Sequence, residues 1–384
     1  MDQPQTLNTD SQRLLPLLEA LQEAAKNLRA NSIPFLFKND SKIAIEAILE
    51  IESKSLAVFS ANPDLRKLSA LLRSLRALNE KLQKFEGFGL RSLLNRQIIH
   101  YKISRVAYDV ESEIQSYVDR LTIRGLVKTL VEESASEDDK VKDLIGFEKR
   151  LSRGFDIDFQ DLVLKAKVFN ILEHILCDPL CSKRVRERAA MAIAALVRFN
   201  KNVFVGLVLM GPTIKALIAL ASRCSIQVLT SLISFIRSPL VDELLAIGEI
   251  PRIINLLCSD DLLVQVAALD CVLELAYIGR DEVIEAMLKE DLIKKLMDLQ
   301  RMDWLDDDKE TAVCIGTVSE SEVKDFPFAS CVARFAVQLE VGEGLIKEEK
   351  EEFKSQILKM VKEAAQSDAE VATIIAEVLW GSSP

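Results

Sequence analysis

Apolar residues along the first third of this chain recur at alternating steps of three and four. Leu14, Leu15, Leu18, Leu21 and Leu28 share one helical face, and Ile43, Ile45, Ile48, Leu49 and Ile51 share a second. Leu65, Leu68, Leu72, Leu75 and Leu82 make a third stripe, with Asn79 interrupting it. Ile99, Ile103, Val106, Val110, Ile114, Val118 and Leu121 make a fourth. That period belongs to helices burying one stripe each. Helix starts are expected at Asp10 or Ser11, at Asn39-Asp40-Ser41 and after Ala61-Asn62-Pro63-Asp64, where short polar side chains can bond free amides. Gly87-Phe88-Gly89 marks a turn. Four such helices with short links predict an up-and-down bundle over residues 1–130.

The pattern then breaks. Glu132 to Lys140 is too charged to bury, so residues 131–145 are expected to be an acidic linker or loop. From 146 to 384 the chain repeats itself. The run Val185-Arg-Glu-Arg-Ala-Ala-Met-Ala-Ile-Ala-Ala-Leu-Val197 superposes on Val264-Gln-Val-Ala-Ala-Leu-Asp-Cys-Val-Leu-Glu-Leu-Ala276. Ala189 falls on Ala268, Ile193 on Val272 and Leu196 on Leu275. Segments around Gly211, Gly248 and Glu290 repeat as well, giving a helical period of roughly 40 residues. Phe328 to Leu339, Lys347 to Glu363 and Val371 to Trp380 read as degenerate, capping repeat, with Ser367-Asp-Ala-Glu370 as a capping box.

A turn glycine, the helix Ile250-Pro-Arg-Ile-Ile-Asn-Leu-Leu257, a turn at Ser259-Asp260-Asp261, and the alanine-bearing helix after it together resemble an armadillo repeat. The style, including Val197-Arg-Phe-Asn-Lys-Asn-Val203, is similar to plant armadillo proteins, some of which carry a ubiquitin-ligase U-box; no U-box pattern is present. The resemblance implies an all-α fold: an N-terminal helical bundle followed by an armadillo-type right-handed superhelical solenoid. It also implies a non-catalytic scaffold or adaptor that binds a protein partner. Family grooves that bind extended peptides use an asparagine ladder, and the matching positions here are Ala195, about Ser234, and Glu274. The ladder is missing, which argues against that peptide mode, while Glu274 leaves room for basic ligands.

Composition adds a compartment and a second partner. Seven cysteines without a clustered framework fit free thiols of an intracellular protein, cytoplasmic or nuclear. Neither a signal peptide nor a membrane span is expected; the most apolar window, Val203 to Ala221, is broken by Gly206, Gly211, Pro212 and Lys215. Net charge is −10, yet residues 1–130 carry 19 Lys+Arg against 15 Asp+Glu, and Ser60–Arg105 carries 10 against 3. A basic bundle face with Arg73, Arg76 and Lys84 off the leucine stripe makes an anionic membrane surface the alternative partner. Without interleaved exposed aromatics, nucleic acid is not expected.

Candidate chemistry is thin. His174, Cys177 and Cys181 have helical spacing, but Pro179 falls between the thiols and a fourth ligand is lacking, so packing is the better reading. His100 has no nucleophile at a motif spacing, and Gly87-Phe-Gly89 lacks the strand and third glycine of a phosphate loop. The acidic runs Glu132–Asp139 and Asp303–Glu310 lack calcium-loop spacing; Trp304 in the second is a candidate partner contact. No catalytic residue, cofactor or metal is expected.

Overall fold

A computed structural model of the chain describes residues 6–30, 45–50, 53, 65–84, 90–132, 134–307 and 327–380. It is all-α, and its contacts group the chain into two compact units, residues 1–127 with 156–166, and residues 128–155 with 167–384.

The first unit contains α1 (Thr6–Ala30), a helical stretch over residues 45–50, α2 (Arg66–Lys84) and most of α3 (Leu90–Val131). Its core is the stripes laid out above: Leu14, Leu18, Leu21 and Leu28 pack with Ile45, Ile48, Leu65, Leu68, Leu72 and Leu75. Ile99, Ile103, Val110 and Ile114 of α3 complete it, with Val106, Val118 and Leu121 half-buried at its margin. Asn79 stays in the leucine row and is buried there. The first helix starts earlier than Asp10 or Ser11. It is already helical at Thr6, the first described residue. The starts expected at 39–41 and 61–64, and the turn at 87–89, lie outside the described residues. His100 is half-buried on α3; burial, assisted by the nearby Arg96 charge, lowers its pKa to about 4, so it is neutral at physiological pH.

The acidic segment is not a loop throughout. Ser136 caps a helix, α4 (Glu137–Leu151), by accepting the Asp139 amide at 3.1 Å. Glu137, Asp138 and Asp139 occupy its first turn, where carboxylates face the positive end of the helix dipole. Their charge favours this helix start rather than opposing helix, which is why the linker shrinks to a few residues. Val141, Leu144 and Phe147 then turn inward.

α5 (Ile157–Lys165) groups with the first unit, and the second continues through α6 (Val168–Cys177) and α7 (Lys183–Phe199). Next come α8 (Lys201–Met210), α9 (Thr213–Leu220) and α10 (Arg223–Ile236). The next triplet is α11 (Ser238–Ala246), α12 (Ile250–Asn255) and α13 (Leu262–Ile278). α14 (Asp281–Lys289), α15 (Leu292–Asp307) and α16 (Cys331–Val341) form the following one, and α17 (Lys347–Ala364) and α18 (Asp368–Trp380) end the chain. The long third helices stack in sequence, α4 on α7, α7 on α10, α10 on α13 and α13 on α16, so each repeat covers the apolar face of the one before. This is an all-α solenoid of stacked helical repeats.

Local chemistry explains the joints. The second helices α6, α12 and α15 are each entered through a left-handed residue, Lys167, Gly248 and Asp291. Only Gly248 (φ 72°) takes that conformation without a Cβ penalty. α8 and α9 meet instead at Gly211-Pro212 with a 70° bend, and there Thr213 Oγ1 donates to Glu173 on α6 at 2.6 Å. That bend divides the most apolar window of the chain. Among the described residues no single helix is long and apolar enough to cross a membrane.

Candidate functional site

The third helices carry a face that runs through successive repeats, so their register decides what that face presents. Ser182, Ser222 and Asp261 each cap a third helix, accepting the amides of Val185, Ser225 and Leu263. Aligned on these caps, the buried residues coincide: Ala189 with Leu229 and Ala268, Ile193 with Ile233 and Val272, Leu196 with Ile236 and Leu275. The ladder position therefore reads Ala195, Phe235, Glu274. Ser234 is one residue out of register, about 100° around the helix from that row. The caps are 40 residues apart from Ser182 to Ser222 and 39 from Ser222 to Asp261, so no single offset carries the row through all three repeats. Phe235 is partly exposed, and Lys201 stands over its ring at 5.5 Å while donating to its carbonyl at 2.7 Å.

Between α4, α7 and α10 this face opens into a hollow of about 450 Å³. Met191, Ala194, Ala195 and Val228 form its apolar wall, and Lys149, Arg198, Gln227 and Ser231 its polar rim. The alanines are what make room: a larger side chain at 194 or 195 would fill the space they leave. Arg198 donates to the Ser231 hydroxyl and so bridges α7 and α10 at the rim. Glu148 enters from α4. Its Oε2 lies 3.8 Å from Arg188, and its Oε1 is buried without a hydrogen-bond partner. Burial pushes the Glu148 carboxyl above its ordinary pKa, and the Arg188 charge only partly opposes this. Cys224 also lines the hollow, and burial, reinforced by Glu187, raises its thiol pKa, so it is a poor nucleophile.

The expected contacts scatter over the molecule. Ala195 lines the hollow, while Glu274 is half-buried on α13, near Asp270, which faces Arg334 at 3.9 Å. Arg73, Arg76 and Lys84 are exposed on α2, off its row of buried leucines. Trp304 falls in the last turns of α15, and its side chain lies outside the described residues. The residues that build the hollow, Glu148, Met191, Gln227 and Ser231, were not singled out from sequence. Three segments up to about 80 residues apart contribute them, and no local motif links them. His174 and Cys177 sit on α6, which ends before Pro179; Cys181 turns its thiol to Asp178 Oδ2 at 3.3 Å.

No protein-family model and no curated protein matches the chain. Among solved structures it is similar to a designed armadillo repeat protein, YIII(Dq)4CqI, at 15% identity over 67% of this chain and 99% of that one, TM-score 0.42. Computationally designed armadillo repeat proteins for modular peptide recognition match at 17% identity over 69% and 99%, TM-score 0.42. A designed armadillo repeat protein in complex with the peptide (KR)4 matches at 18% identity over 68% and 98%, TM-score 0.40.

Proposed function

We propose that this chain is a non-catalytic protein-binding scaffold whose row of third helices holds a segment of a partner protein. The observation that carries this reading is the hollow between α4, α7 and α10, apolar inside and rimmed by hydrogen-bonding groups. Apolar anchor pockets with a polar rim are where interfaces concentrate their energy. With Ala195, Phe235 and Glu274 in the ladder row, asparagine amides are not on offer to a partner's backbone. The hollow instead suits an inserted side chain.

Selection of a random peptide library on the full-length protein, compared with Ala195→Trp, tests this. Peptides with an apolar anchor should be enriched on the parent and weaken on the variant by at least about tenfold, as expected for a filled pocket. The variant's melting curve should not move. Equal enrichment on both proteins would remove the hollow from the binding surface.

A second reading, docking on an anionic membrane, is favoured by α2. Arg66, Lys67, Arg73, Arg76, Lys81 and Lys84 share this helix with a single acid, Glu80. All seven are exposed. Arg66, Arg73, Lys81 and Lys84 lie on the side away from the buried Leu68, Leu72 and Leu75. Arg76 and Lys67 flank the stripe, and Lys67 pairs with Glu113 at 2.7 Å. Each basic residue near an anionic bilayer contributes about 1 kcal/mol before screening. Pelleting with phosphatidylserine vesicles at low salt should disappear when Arg73, Arg76 and Lys84 are changed to Glu, with helicity unchanged. If the parent protein stays in the supernatant, the membrane reading fails.

A further inference from the structure

α3 has two apolar faces, and the first unit uses one. Ile99, Ile103, Ala107, Val110 and Ile114 are buried in its core. Leu94, Ile98, Tyr101 and Tyr108 are 61%, 52%, 70% and 55% exposed. At about 100° per residue these four fall on a narrow line directly opposite the core face. Arg105 supplies the missing position, so 94, 98, 101, 105 and 108 follow steps of four and three, the spacing of a coiled-coil seam. The line runs for about 21 Å, four turns of helix. Soluble proteins rarely leave such a contiguous apolar line uncovered.

Its charge selects the occupant. From Leu90 to Tyr108 the helix holds four Lys/Arg and no Asp or Glu. Lys102 and Arg105 are exposed on or beside the line. A second copy of α3 would bring these cations together near the middle of the seam in either orientation. A membrane-lying helix presents a broad apolar face, whereas this line is one residue wide, with Gln97, Lys102 and Ser104 beside it. Beyond Tyr108 the charge changes sign, since Asp109 and Glu111 follow and Arg29, 5.8 Å from the Tyr108 ring centre, pairs with Glu111 at 2.9 Å; the basic stretch is the one from Arg91 to Arg105. We infer that the outer line of α3 docks an acidic amphipathic helix of another protein, seated by heptad packing on Leu94, Ile98, Tyr101 and Tyr108 and held in register by Lys102 and Arg105.

A labelled three-heptad peptide with Leu at both seam positions and Glu at the flanking positions is the probe; its twin carries Lys at the flanks. Anisotropy with the full-length protein should show the Glu peptide binding about tenfold or more tighter than the Lys peptide, with the gap closing as salt rises. Ile98→Ser with Tyr101→Ser should abolish binding and leave the melting curve in place, since both side chains are exposed. Lys102→Glu with Arg105→Glu should reverse the preference toward the Lys peptide, which nonspecific stickiness would not do. Equal binding of the two peptides, or none, overturns the proposal. So does a self-association, or an adsorption to phosphatidylserine vesicles, that the serine pair abolishes while peptide binding persists.

Discussion

Leu275→Asp abolishes the cooperative melting transition of the repeat unit. Leu275 is fully buried on α13, at the level where Leu196 of α7 and Ile236 of α10 occupy the same register in the preceding repeats. A carboxylate there has no cation to pair with in an apolar layer shared by successive third helices. Burying it costs several kcal/mol, against a total stability of about 5–15 kcal/mol for a domain. The next residue, Glu274, is a carboxylate that the fold tolerates, because one step around the helix brings it to the open face. Glu274→Gln therefore serves as the control and should shift the melting temperature by only a degree or two, because Glu274 is half-buried at the open face and Gln keeps its shape. Circular dichroism melts of both variants check this. A parent-like curve for Leu275→Asp would show that the register of the third helices is misplaced.

Glu370→Ala should destabilise the C-terminal end of the solenoid by about 1–3 kcal/mol, because Arg301 then loses one carboxylate, keeping Asp298 and the Ala364 carbonyl, and the Gln366 amide loses its acceptor. Glu370 and Arg301 are 7% and 16% exposed, and Glu370 Oε1 accepts from Arg301 Nε at 2.6 Å. Glu370 Oε2 accepts the Gln366 amide at 2.7 Å, while Arg301 also donates to the Ala364 carbonyl at 3.1 Å. Arg301 thus ties α15 to the first turn of α18 through Glu370 and to the end of α17 through Ala364. Burial pushes the Glu370 carboxyl up, but the Arg301 hydrogen bond, the Gln366 amide and the Arg301 charge together outweigh it, and its pKa is lowered. Stability from a lowered carboxyl pKa is complete above the unfolded value near 4.5 and is lost as pH falls through the folded value. The melting temperature should therefore fall more steeply below about pH 4.5 in the parent than in Glu370→Gln. Replacing both partners, Arg301→Met with Glu370→Met, should recover most of the loss seen in Glu370→Ala. Parallel slopes for parent and Glu370→Gln would mean that the ion pair contributes nothing to the acid transition.

The parts of this molecule that were legible in the sequence are those with a period. The leucines of α2 and the isoleucines of α3 were placed in the core by spacing alone, and even the break at Asn79 was visible. Ala189 and Ala268 revealed the third helices because close helix packing needs small side chains at regular intervals. Ser367 and Glu370 were recognised as a cap, and the Glu370 amide does bond Ser367 Oγ at 3.2 Å. Their second partner was not foreseeable: Glu370 reaches the Gln366 amide and Arg301, which is 69 residues distant. Charge misled the reading at Glu137–Asp139, where acids that suggest a loop are good residues for a helix start. The outer line of α3 has no period of its own to set it apart from the Ile99–Ile114 stripe, since both repeat at steps of three and four on one helix. The hollow has no local signal because α4, α7 and α10 each supply only a few of its side chains.

The order of stacking has a consequence for the length of the solenoid. α10 touches α7 before it and α13 after it, through layers of similar side chains at Ile193, Ile233 and Val272. Duplicating or deleting one unit of roughly 40 residues would re-form the same contact with the next neighbour instead of opening a new core. Such a change lengthens or shortens the row of third helices by whole units while every remaining unit keeps its fold. The packing layers and the face are thus chemically separate, and Ala195, Phe235 and Glu274, three unlike residues at one structural position, sit on a row that the packing does not dictate.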